Sequence, residues 1–106
     1  MNEQVKNELE IIKESVLNAV PASAMYLFGS HAYGEPNNES DLDIYVVVPD
    51  KSMCDMDTRV NLSIDIRKRI SKPIDLFIRD KNSFDYRISA PTLERKIYRE
   101  GVKFYG

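Results

Sequence analysis

Residues Leu27 to Val48 read LFGSHAYGEPNNESDLDIYVVV, and this stretch decides the fold. Its last part, Asp41 to Val48, is β-branched and apolar and predicts a central strand. The short run just before it, Met25-Tyr26-Leu27-Phe28, is apolar and partly aromatic and stops at Gly29, which also favours a strand. Between the two, His31 to Ser40 carries Gly34, Pro36, Asn37 and Asn38 and predicts a loop with one helical turn at its start.

Aspartate is disfavoured in strands and costly to bury without a partner. Yet Asp41 and Asp43 open the most apolar strand of the chain. Side chains alternate along a strand, so Asp41, Asp43, Tyr45 and Val47 share one face, and Leu42, Ile44, Val46 and Val48 the other. Residues two apart are about 6.6 Å apart along a strand, close enough for both carboxylates to lean onto one or two ions. The same pattern also arises from turn and cap aspartates at strand ends. Asp55 and Asp57 repeat it at the start of a helix, where capping explains it.

Outward from this core, Val5, Leu9, Ile12, Val16 and Val20 recur at helical spacing and Pro21 ends the helix. Pro49 to Ser52 closes the central strand. A second helix is predicted over Met56 to Ile70, with Met56, Val60 and Ile64 one turn apart and Leu62, Ile66 and Ile70 beside them. Pro73 opens a strand over Ile74 to Ile78, in which Asp75 alternates with Ile74 and Leu76. If that strand neighbours the first, three carboxylates converge on one patch. Helices are expected over Ser83 to Ser89 and Leu93 to Glu100, with Gly101 as a stop and Val102 to Tyr105 as a short edge strand. The fold class expected is α+β, a small mixed sheet flanked by helices, with residues 1–106 as a single domain.

Three like charges raise one another's pKa values unless a cation neutralises them. Oxygen donors with open positions suit Mg²⁺, which keeps waters and completes its shell with phosphate oxygens. Gly29-Ser30 directly after a strand is a turn whose backbone N–H groups can hold phosphate, although most such turns are only turns.

The net charge of −2 and pI of about 5.4 lack the basic excess of a stable nucleic-acid binder. No apolar run approaches the roughly 20 residues of a membrane span. The N-terminal MNEQVKNELE is acidic and amphipathic, unlike a signal peptide. The one cysteine, Cys54, forms no intrachain disulfide, in keeping with an expected cytoplasmic location.

Gly29-Ser30, followed by Ser40-Asp41-Leu42-Asp43 and later by Asp75, resembles the nucleotidyltransferase signature of the DNA polymerase beta superfamily. The stretch from Leu27 to Val48 is similar to the core of its minimal nucleotidyltransferases, and IYREGVKFY at Ile97 to Tyr105 is similar to their C-terminal end. The resemblance implies a polymerase-beta-like fold in which Gly29 and Ser30 hold the triphosphate of ATP or another nucleoside triphosphate. Asp41, Asp43 and Asp75 would be the catalytic and metal-binding residues, with two Mg²⁺ ions expected and Asp75 nearest the acceptor hydroxyl. Tyr33 stands where many relatives carry Arg between Ala and Gly, and offers a hydrogen bond without a charge.

Larger relatives add a helical domain that holds the acceptor, and no such domain is expected beside this core. The resemblance therefore implies transfer of AMP to a partner protein, the HEPN-type toxin of a HEPN/MNT toxin–antitoxin pair. Two other readings are an antitoxin that works by occlusion alone, and a homodimer acting on small molecules. Of the remaining residues, Cys54 is read as non-catalytic, and so is His31, with a phosphate contact or a base as its alternative; the run Arg67-Lys68-Arg69 is read as a solvated face, and Arg95, Lys96 and Arg99 as a solvated face or a partner-facing patch. Tyr98 and Tyr105 are read as packing residues.

Overall fold

Asn2 starts the first helix. Its side chain accepts a hydrogen bond from the Val5 N–H at 2.8 Å and caps α1, Glu3–Ala19. In this computed structural model, which describes residues 2–34 and 40–106, the stripe Val5, Leu9, Ile12 and Val16 is buried as its spacing requires. Val20 turns extended before Pro21.

Four strands follow: β1 Ala24–Phe28, β2 Leu42–Val48, β3 Ile74–Asp80 and β4 Val102–Tyr105, in the order β3-β2-β1-β4. β1 is antiparallel to β2 and β4, whereas β2 and β3 are parallel. Parallel neighbours need a crossover. Here it is a 3₁₀ turn, Lys51–Cys54, and α3, Met56–Arg67. The expected helical turn is α2, Ser30–Tyr33, and the chain closes through α4, Lys81–Ile88, and α5, Leu93–Glu100. The Asp80 carboxylate caps α4 through the Ser83 N–H, and the Thr92 hydroxyl caps α5 through the Arg95 N–H. The predicted loop positions Pro36, Asn37 and Asn38 lie outside the described residues.

The sheet is covered on both sides, which is why β1 and β2 read as unbroken apolar runs. Met25, Leu27, Leu42, Ile44, Val46 and Leu76 face α1 and α3. Tyr26, Phe28, Tyr45 and Val47 face Phe84 of α4 and Ile97 of α5. A buried ion pair, Lys72 to Glu8 at 3.0 Å, ties the entry of β3 to α1. Among the described residues no helix is long and apolar enough to cross a membrane.

Several expectations need correction. The helix predicted to reach Ile70 stops at Arg67, and β3 runs on to Asp80. Of the two apolar stripes on α3, Leu62 and Ile66 are buried with Ile70 beyond the helix end, but Met56, Val60 and Ile64 are exposed. Arg69 is not simply solvated, because its guanidinium reaches Ser15 Oγ at 3.0 Å and Glu14 at 3.3 Å and fastens the end of α3 to α1. Asp55 does occupy the N-cap position, but its carboxylate takes the Thr58 hydroxyl rather than a backbone N–H.

Candidate functional site

The register of three strands builds the site. Asp43 lies opposite Asp75 on β3 and opposite Phe28 on β1, so Phe28, Asp43 and Asp75 form one transverse row at an end of the sheet. Adjacent strands are about 4.8 Å apart, which holds the two carboxylates side by side. Asp41 sits just before β2, exposed. Burial raises the pKa of Asp43 above the ordinary carboxylate value, and the charges of Asp75 and then Asp41 push it further, with His31 acting the opposite way. The three carboxylates thus share a field, although among the described residues no three His, Cys, Asp or Glu side chains are drawn into a ready-made metal cage. Half-buried Asp43 flanked by exposed Asp41 and Asp75 is an oxygen-only donor set with open positions, which fits a hard, partly hydrated cation.

Gly29 closes the row. Its φ of 71° is a conformation that residues with a side chain rarely adopt, and a Cβ there would lie 2.0 Å from Asp43 Oδ2. The turn that follows is tight: the Ala32 and Tyr33 N–H groups both donate to the Gly29 carbonyl, at 3.0 and 3.1 Å. No side chain caps the start of α2.

Two residues set aside in the sequence stand at this corner. His31 Nε2 lies 3.1 Å from the Ser40 carbonyl oxygen and tethers α2 to the entry of β2. Lys96 Nζ from α5 lies 4.5 Å from the centroid of the Tyr33 ring. A cation therefore stands beside the one position where charge was expected to be missing.

The next row of the sheet is Tyr26, Tyr45 and Phe77. Phe77 stacks on Tyr45, with centroids 6.3 Å apart and 6° between the ring planes, and meets Phe28 edge-on at 5.6 Å. Beneath it, the Tyr45 hydroxyl donates to Glu94 Oε2 at 2.9 Å and accepts from Arg79 Nε at 3.0 Å, while Arg87 Nε donates to Glu94 Oε1 at 2.8 Å. Burial, then the bond to Glu94, pushes the Tyr45 hydroxyl pKa well up. Burial also raises Glu94, but the Arg87 bond, its own backbone and the Tyr45 hydroxyl outweigh that and hold it below its usual range. Glu94 therefore stays charged and anchors α5 under the site. Nothing local marks this cluster in the sequence, because Glu94 looks like any first-turn helix glutamate.

Residues 10–106 match the protein family described as "Polymerase beta, Nucleotidyltransferase". No protein of curated function matches the chain. Among solved structures, a toxin–antitoxin crystallised with AMP-PNP is 25% identical with a TM-score of 0.70, over 94% of this chain and 73% of that one. A mutant of the toxin–antitoxin MntA-HpeT is 26% identical with a TM-score of 0.66, over 93% and 73%. The complex of a tri-AMPylated HEPN toxin of Shewanella oneidensis with its MNT antitoxin is 27% identical with a TM-score of 0.63, over 97% and 72%.

Proposed function

Since this chain belongs to the polymerase beta nucleotidyltransferase family, we propose that it transfers AMP from ATP to a hydroxyl of a HEPN-type partner protein and so silences it as an antitoxin. The observation that carries the reading is the register pairing of Asp43 with Asp75 beside a glycine whose missing side chain makes room for Asp43. The relatives support the choice of nucleotide and partner, one crystallised with AMP-PNP and one with an AMPylated HEPN toxin.

In this mechanism Asp41, Asp43 and Asp75 would hold Mg²⁺, two ions being expected, which when bound neutralises the triphosphate and acidifies the acceptor hydroxyl. Gly29 and Ser30 bring backbone N–H groups against the phosphates at the strand-to-helix turn. Lys96, beside Tyr33, adds the positive charge that many relatives draw from Arg. Asp75, exposed at the sheet end, receives the acceptor proton. The acceptor oxygen bonds to the α-phosphorus as the bond from that phosphorus to the bridging oxygen of the β-phosphate breaks, and pyrophosphate leaves. Holding the groups in line supplies much of the rate. We propose that the reaction is carried by one domain and, with Cys54 as the one cysteine, takes place in a reducing, cytoplasmic setting.

Calorimetric titration of ATP with Mg²⁺ and again with EDTA, on wild type and on Asp41→Ala/Asp43→Ala, tests the site. Binding that needs Mg²⁺ and is lost in the double variant is expected. Absence of binding by wild type to any nucleoside triphosphate would favour a second reading, suggested by Tyr33, in which the protein silences its partner by occlusion. In that case the double variant still neutralises the partner.

A further inference from the structure

The feature the proposed reaction leaves unused is the open side of β3. β3 is the end strand of the sheet, and among the described residues no strand pairs with its outer edge. α3 runs beside it, and the groove between them encloses about 250 Å³, lined by Arg59, Val60, Ile64, Arg67, Ile74 and Asp75. A second hollow continues past Arg59 to Met56, Phe77 and Ile78. The groove thus follows the strand and opens at one end onto Asp75.

Its lining shows what it takes. Met56 is 68% exposed, Val60 44% and Ile64 45%, an apolar stripe turned away from the core. An open strand edge offers backbone groups to another extended chain. Arg59 and Arg67 border the same groove, and no carboxylate among the described residues pairs with either. Positions 59 and 67 are about 12 Å apart along a helix. An extended chain covers that distance in about four residues, so two carboxylates four apart, with an apolar residue midway, meet both arginines and the stripe from one face.

We propose that this groove holds an extended, carboxylate-bearing segment of the acceptor protein, added as a further strand to β3, so that its hydroxyl arrives at Asp75. The proposal deepens the transferase reading and rests on it. The bond formed is from the acceptor oxygen to the α-phosphorus, the bond broken is to the departing pyrophosphate, and the proton passes to Asp75.

The test uses the full chain and a fluorescein-labelled peptide with two Glu four residues apart, Val midway and a Tyr or Ser at each end. Anisotropy without nucleotide is expected to show binding that weakens at least about 10-fold when both Glu become Lys. Arg59→Glu/Arg67→Glu is expected to lose the Glu peptide and take the Lys peptide, and Val60→Ser/Ile64→Ser to bind neither. Equal binding of both peptides, or an unchanged preference after charge reversal, would overturn the groove assignment. With ATP and Mg²⁺, AMP is expected only on the hydroxyl at the Asp75 end. A chain that binds Mg²⁺-ATP and the peptide but labels no hydroxyl on it overturns the acceptor role. A chain that binds the peptide but not ATP upholds the groove and instead overturns the transferase reading.

Discussion

Gly29 and Asp43 fit together only because Gly29 has no side chain: a Cβ at that position would stand 2.0 Å from Asp43 Oδ2. Gly29→Ala therefore carries both a clash and an unfavourable φ of 71°, a conformation that costs of order 1–3 kcal/mol. Denaturant unfolding is expected to show that loss or more, together with weaker ATP binding. Adding Asp43→Ala removes the clash but not the backbone strain, so the double variant is expected to be less destabilised than the sum of the single ones. Strict additivity would show that the two residues do not touch.

Asp43→Asn is expected to stabilise the metal-free protein at neutral pH. Asp43 has its pKa raised in the fold, so above the ordinary value of 3.8 the folded state holds more proton than the unfolded state. Stability then falls as pH rises through that window, and Asn removes the fall. Mg²⁺ should reverse the ranking: at about 100 times Kd a ligand adds roughly 2.7 kcal/mol to the state that binds it. Thermal melts with and without Mg²⁺ check both halves, and a Tm in wild type that ignores the ion counts against the site.

Glu94 gives the opposite pH dependence. Its pKa is held below the ordinary 4.5, so its contribution is present above that value and is lost as pH falls through the lower, folded value. Glu94→Gln is expected to cost about 1–3 kcal/mol at pH 7, and the two unfolding curves should converge in acid. Tyr45→Phe, which leaves Glu94 Oε2 without its hydroxyl donor, is expected to cost about 1 kcal/mol without abolishing folding.

The two faces of α3 separate in a simple comparison. Leu62→Ala is expected to cost about 2–5 kcal/mol, because Leu62 is 1% exposed. Val60→Ala, on the open stripe, is expected to stay within about 0.5 kcal/mol.

Lys96→Met is expected to weaken Mg²⁺-dependent ATP binding roughly 5-fold while Lys96→Arg keeps it, about what one exposed charge near phosphate is worth. An unchanged affinity in Lys96→Met would leave Lys96 as a packing partner of Tyr33 alone.

The fold was largely legible where periodicity and punctuation agree. The α1 stripe, the two faces of β2 and the bounds of α5 and β4 follow from spacing plus Pro21 and Gly101. On α3 they do not agree. Positions 60 and 62 are about 200° apart around a helix, so Val60 and Leu62 define opposed stripes, and periodicity alone cannot say which one the sheet covers. Within the site, each strand's alternation assigned Asp43 and Asp75 to a face, but which strands neighbour and in what register is a tertiary fact. Glu94, Arg79 and Arg87 were invisible for a related reason. They meet through contacts between β2, β3, α4 and α5, and nothing local marks a glutamate that will be 3% exposed.

Asp43 and Asp75 become neighbours only when β2 and β3 zip together, and that pairing closes a loop containing the whole of α3. Such distant contacts form late, after the chain entropy of closure has been lost. A nascent or refolding chain therefore carries its carboxylates apart until the crossover is complete. An ion that needs both of them meets either a finished sheet or nothing, and so retards unfolding while leaving the speed of folding untouched.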